Sequence, residues 1–204
     1  LGAELPMFTQ MMIDLSKLLR SPFSFVLVGI LIAGSVVFGR FYATPIGRRK
    51  VDAFVLKIPL FGDLIQKTAT AQFCRTFSSL TRAGVPILMA LEIVRGITGN
   101  SIISDAINAS RDDITQGIPL SIALASKNVF PDMAIGMLAI GEETGELDSM
   151  LSKVADFYED EVSATVKAIT SMLEPAMIVL VGGIVGSILL AMYLPMFGIF
   201  EQIK

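Results

Sequence analysis

Two stretches of the chain contain apolar and small residues with no charge between their ends. The first, residues 21–39, lies between Arg20 and Arg40, and the second, residues 175–200, lies between Glu174 and Glu201. At about 1.5 Å per residue they reach roughly 28 and 39 Å as helices, against a hydrocarbon core of about 30 Å. Both lengths predict transmembrane helices, the longer one tilted or projecting. Between them the apolar positions recur at helical spacing rather than in strand alternation. Phe73, Phe77 and Leu80 share one face, which ends at Ala83-Gly84-Val85-Pro86. Gly84 suits the left-handed residue that stops a helix, and Pro86 suits the first position of the next. Leu88, Leu91 and Val94 continue to Gly99, and Asn100 or Ser101 caps a helix that carries Ile103, Ala106 and Ile107 and stops at Gly117.

A short helix opens at Pro119-Leu120-Ser121, and another opens at Phe130-Pro131-Asp132 with Met133, Met137, Leu138 and Ile140 on it. After Gly145 a long helix begins, with Met150, Leu151, Val154, Phe157 and Tyr158 as a stripe that buries in a bundle. Short Gly/Pro connections make consecutive helices antiparallel neighbours. The expected fold is therefore all-α: an integral membrane protein with a cytoplasmic antiparallel helical bundle between two transmembrane helices. Its expected parts are an external amphipathic segment (1–20), a span (21–39), a basic juxtamembrane segment (40–66), the bundle (67–174), a second span (175–200) and an external tail (201–204).

Composition supports the membrane reading, since 53% of the 204 residues are hydrophobic and 17% charged and the mean hydropathy is +0.69, too apolar for an ordinary soluble domain. The first span is no signal peptide, because an amphipathic segment precedes it and no small-residue cleavage site ends it. Arg40, Arg48, Arg49, Lys50 and Lys57 follow the first span, whereas Lys17 and Arg20 precede it and Lys204 follows the second. By the positive-inside rule residues 40–174 face the cytoplasm and both ends lie outside. Leu1 is not an initiator methionine, so the chain reads as the trailing part of a longer one. The single cysteine, Cys74, cannot form an internal bridge and reads as a core thiol. A net charge of -3 gives no direct nucleic-acid partner, while the basic residues near the first span can meet anionic membrane lipid.

Candidate chemistry is sparse. There is no histidine, no Gly-x-Ser-x-Gly elbow and no phosphate-binding P-loop, so the chain reads as a non-enzyme without cofactor or resident metal. One stretch, AIGEETGELDSML, concentrates Glu142, Glu143, Glu146 and Asp148 around Gly141 and Gly145. Three readings stand. Gly145 can follow a helix end, with Glu146 and Asp148 in the next first turn, where the helix dipole favours carboxylates. The acids, Glu142 and Glu143 above all, can instead form a docking surface for a basic partner. They also offer oxygen ligands for calcium or magnesium, although the spacing matches no EF-hand loop. Glu142 and Glu143 precede the turn, where the dipole disfavours acids, so on the turn reading lysine there is expected to be neutral or mildly stabilising. In the second apolar run Gly182, Gly183 and Gly186 place small residues where another helix can approach closely, either within the whole protein or from a partner. Pro175 and Pro195 mark places where that helix can bend.

The blocks KIPLFGDLIQK, FCRTFSSLTRAGVPILMALEIV, FPDMAIGMLAIGEETGELDSML, VADFYEDEV, LEPAMIVLVGGIVG and MYLPMF, in this order, resemble the platform proteins of type IV pilus and type II secretion machines, the GspF/PilC family. Their match runs from about Leu5 to the end. The resemblance implies the C-terminal half of such a protein, with the first cytoplasmic domain outside this chain. It implies a multi-pass, non-enzymatic platform in the inner membrane, between a cytoplasmic assembly ATPase and pilin or pseudopilin subunits. Other inner-membrane assembly proteins and further copies of the chain are its expected partners. From other classes, a transporter or channel subunit and a membrane-tethered signalling adaptor remain open, although neither span holds the ionisable residue that transport pathways usually need.

Overall fold

The computed structural model describes residues 7–202, so residues 1–6 of the expected external segment and 203–204 of the expected tail lie outside the described residues. All regular structure among the described residues is α-helix: α1 (Met7–Arg20), α2 (Pro22–Ala43), α3 (Pro45–Val55), α4 (Phe61–Arg82), α5 (Ile87–Ile97), α6 (Ser101–Thr115), α7 (Leu120–Ala125), α8 (Asp132–Thr144) and α9 (Leu147–Gln202). The chain divides into two units. One comprises residues 41–168, and the other comprises α1, most of α2 and the later part of α9.

In the second unit the apolar helices are long enough to cross a membrane, and none of the residues in their most apolar windows is buried. Ile30, Leu31 and Val37 of α2, and Ile178, Val179 and Leu180 of α9, are exposed. The core helix of a soluble protein would bury such side chains, so these surfaces suit lipid or another apolar helix. A Cβ built at Gly182, Gly183 or Gly186 meets nothing within 4 Å, so among the described residues no neighbour fills these three positions. The backbone of α9 is helical through both Pro175 and Pro195. Proline lacks an N–H, which leaves the carbonyl four residues earlier without its helical donor. For Pro195 that carbonyl belongs to Ala191, and the buried Thr9 hydroxyl of α1 donates to it at 3.4 Å.

The other unit is built on one core. Phe73 and Phe77 of α4 stack with ring centroids 5.4 Å apart, and Phe130 leans on Phe73 at 4.8 Å. Around them lie Leu91 and Val94 of α5, Ile103 and Ile107 of α6, Leu120 and Leu124 of α7, Leu138 of α8, and Leu151, Val154 and Tyr158 of α9. Each fully buried large side chain contributes about 1.5–3 kcal/mol relative to exposure. Consecutive helices from α4 to α8 pack on one another, and α3 packs on α6. The compact unit thus begins at Phe41 and takes in the basic segment of residues 40–66 except Arg40, as the end of α2, helix α3 and the start of α4.

Gly84, Gly117 and Gly145 take φ values of +76°, +87° and +75° at the ends of α4, α6 and α8, the left-handed conformation that glycine adopts without Cβ strain. Pro86 sits one position earlier than its expected place, as the N-cap of α5, because its ψ of 141° is still extended. Asn100 is the cap of α6, its Oδ1 accepting from the Ile102 N–H at 2.9 Å. The helical stripes are narrower than their apolar patterns: Leu88, Met133, Ile140 and Phe157 are exposed. Tight approach, rather than backbone freedom, requires Gly47 and Gly62, where a Cβ would lie 1.9 Å from the Phe41 carbonyl oxygen and 2.2 Å from that of Leu56.

Candidate functional site

The acidic stretch runs through the last turn of α8, the Gly145 turn and the first turn of α9. Gly141 is buried because its missing Cβ is where α9 comes closest: an added Cβ would stand 3.1 Å from Leu147 Cα and 3.2 Å from Met150 Cβ. The stretch therefore folds back tightly on itself and directs its four carboxylates differently.

Glu142 turns into the unit. Its carboxylate accepts from the Leu120 N–H at 2.7 Å, the Ser121 N–H at 3.0 Å and the Ser121 hydroxyl at 2.7 Å. These are first-turn donors of α7, whose N-cap, Pro119, has no side-chain oxygen to offer. The expectation that lysine at position 142 would be neutral or mildly stabilising is corrected accordingly. Although Glu142 lies near the C-terminus of its own helix, it faces the N-terminus of α7, where a carboxylate is favoured. Asp148 is also engaged, its carboxylate pairing with Arg82 at 3.2 Å while its backbone carbonyl accepts from the buried Ser78 hydroxyl at 2.9 Å. Glu143 and Glu146, by contrast, are exposed. Among the described residues no group of three or more His, Cys, Asp or Glu side chains is arranged to hold a metal ion.

Farther along α9, two ionic clusters tie that helix to α4. Arg75 donates from Nε and Nη2 to Glu159, both at 2.8 Å, and from Nη2 to Asp156 at 2.5 Å. The Arg75 guanidinium holds the Glu159 carboxyl below the usual carboxylate range, and hydrogen bonds to Glu159 and then Asp156 raise the arginine's own pKa. Lys67 lies 3.0 Å from both Asp63 and Glu161, and those hydrogen bonds raise its pKa. Both clusters are solvent-accessible, so each pair is worth only about 0–1 kcal/mol. Cys74, 1% exposed, is a core thiol, and burial pushes its pKa up to about 12. It is protonated and unreactive at neutral pH.

A buried acid escaped the sequence reading. Asp52 of α3, 6% exposed, accepts from the Ser101 N–H at 2.8 Å and the Tyr42 hydroxyl at 3.3 Å, and so caps α6 from outside that helix. Asp52 and Glu142 play one role at two helix starts. The only sequence signal for Asp52 was a lone acid embedded in the basic run RRKVD, too little to identify the helix it serves.

Among the described residues the regular structure is all helix, the acids Asp52 and Glu142 cap helix starts, and the most apolar windows of the two membrane-length helices are unburied, which is the architecture of a helical protein built to meet a membrane. The chain belongs to the type II secretion system protein F family, whose family model matches residues 73–195. It is 46% identical over its whole length to the type IV pilus assembly protein PilC of Thermus thermophilus, covering 50% of that protein. It is 42% identical over 96% of its length to PilC of Pseudomonas aeruginosa, covering 52% of that protein. The type II secretion system protein F of Pseudomonas aeruginosa is 32% identical over 99% of this chain and 50% of that protein. The chain thus spans about half the length of the curated relatives it matches.

Proposed function

We propose that this chain is part of an inner-membrane platform of a type IV pilus or type II secretion machine, acting as a non-enzymatic scaffold that couples a cytoplasmic assembly ATPase to the addition of pilin or pseudopilin subunits. The observation that carries this reading is the match to pilus-assembly and secretion relatives along the whole chain, at 46% identity to the Thermus thermophilus protein. Two unburied apolar helices flanking a helical unit support the membrane part. In this reading residues 41–168 are cytoplasmic, with the basic residues of α3 on the inner side. The α1 and far α9 ends share the outer side, in keeping with the hydrogen bond from Thr9 to Ala191.

Exposed Glu143 and Glu146 are the acids left to face a basic surface of the ATPase, while Glu142 and Asp148 hold the turn that presents them. The open face at Gly182, Gly183 and Gly186 takes another membrane helix, from the rest of the protein, a further copy, a pilin or another assembly protein. Topology is tested with single cysteines at exposed Gln10 and Asn128 in a Cys74→Ala background of the full-length protein. An impermeant thiol reagent applied to intact cells labels Gln10→Cys and not Asn128→Cys. The opposite pattern overturns the orientation. Deletion of the gene in its host is expected to abolish pili or secretion, with restoration by the full-length copy; unchanged output in the deletion strain overturns the platform role.

A further inference from the structure

An open groove of about 680 Å³ lies where α3, α5 and α6 meet, lined among others by Thr44, Arg48, Arg49, Arg95 and Asp105. Arg48, Arg49 and Arg95 line it with Asp105; counting the acids that also approach these arginines, Asp52 and Glu92, and the Arg111 that shares Glu92, the cluster keeps a single excess positive charge. The donors of the lining arginines are only partly used inside the protein. Arg49 Nε approaches Asp105 at 3.6 Å, Arg48 Nε approaches Asp52 at 3.9 Å, and Arg48 Nη2 reaches the Gly99 carbonyl at 3.4 Å. Arg95 is better anchored, donating to the Asn108 side-chain oxygen at 2.5 Å and lying 3.8 Å from the Glu92 carboxylate. The Ser101 hydroxyl in the same wall is buried with no hydrogen-bond partner, the one such side-chain atom among the described residues. A concave, positively charged wall with unspent forked donors suits a compact oxyanion, because guanidinium groups bind phosphate oxygens in pairs.

We propose that this groove is a phosphate-binding site, in which Arg48 and Arg49 hold the oxyanion, Arg95 supplies fixed positive charge, and Asp105 competes with the ligand for Arg49. The phosphate can be free or carried by an anionic phospholipid. Ala43, the last residue of the apolar helix α2, lines the groove, so a headgroup at the end of that helix meets the arginines. This lipid source rests on α2 spanning the bilayer, whereas free phosphate does not.

The test is native mass spectrometry of the 204-residue chain in detergent, titrated separately with phosphatidylglycerol, phosphatidylcholine and inorganic phosphate. The wild-type chain retains phosphatidylglycerol in preference to phosphatidylcholine if a lipid is the source, and binds inorganic phosphate if free phosphate is. In either case Arg49→Gln weakens binding about tenfold, through loss of charge-assisted hydrogen bonds. Asp105→Asn strengthens it about threefold by freeing Arg49. Both side chains are more than half exposed, at 68% and 58%, so neither variant is expected to unfold the chain, and matched melting temperatures verify this. Failure to bind either probe, equal retention of the two lipids without phosphate binding, or binding that neither substitution changes, overturns the proposal.

Discussion

Replacing Glu142 tests whether the acidic stretch is built into the fold. Its carboxylate receives three hydrogen bonds from the start of α7. Loss of an N-cap costs about 0.5–2 kcal/mol, and a hydrogen bond to a charged group contributes about 1.5–3 kcal/mol. Because Glu142 is half-buried, water can recover part of that when the side chain is truncated. Glu142→Ala is therefore expected to cost about 2 kcal/mol. Glu142→Gln keeps one acceptor and should cost about 1 kcal/mol, whereas Glu142→Lys brings a cation to the positive end of α7 and should cost about 3 kcal/mol. The assay is hydrogen exchange at the Leu120 and Ser121 amides of the chain in detergent, alongside its melting temperature. A 2 kcal/mol loss speeds exchange through local opening about 30-fold. Glu143→Lys, on an exposed neighbour, should change neither quantity. If Glu142→Lys matches Glu143→Lys in both measurements, the capping role is wrong.

Gly145→Val places a β-branched residue at φ +75° and should destabilise the helical unit by about 1–3 kcal/mol, read as a lower melting temperature, with Gly145→Asn milder. Glu159 has its pKa lowered chiefly by Arg75. Its stabilising share is thus present above the ordinary carboxylate range and is lost as pH falls through the depressed value. Arg75→Gln should lower the melting temperature slightly near pH 7 and by less near pH 3, a difference that high salt shrinks because the pair is solvent-accessible. Gly182→Ile with Gly186→Ile should leave membrane insertion and the isolated chain's helicity unchanged, since both positions open on empty space, but reduce detergent-stable assemblies of the full-length protein.

What could be read from the sequence were features set by local chemistry. The charge-free runs, the 3.6-residue period and the glycines at positive φ depend on residues within a turn or two of one another. Phe73, Phe77, Leu91, Ile103 and Ile107 fell into the core accordingly. Phe157 and Ile140 did not, because period alone draws a wider stripe than the neighbouring helices cover. Long-range polar contacts were not legible. Glu142 reaches a helix start 21 residues earlier, and Asp52 reaches one 49 residues later. In sequence both are charges in the wrong local company, one at a helix C-terminus and one in a basic run. The acidic stretch was conspicuous, but only packing separates Glu142 and Asp148, which hold the turn, from Glu143 and Glu146, which face solvent.

That separation makes ATPase recruitment the most direct test of the platform proposal. The measurement is co-purification of the cognate assembly ATPase with the full-length protein from membranes, comparing wild type with Glu143→Lys/Glu146→Lys. Both positions are exposed, so the double variant should insert and melt like wild type. It is expected to recover at least tenfold less ATPase, the loss of about 1.4 kcal/mol or more of charge attraction across the interface. ATPase recovery equal to wild type, with normal pilus or secretion output, would contradict the proposal that this turn recruits the motor.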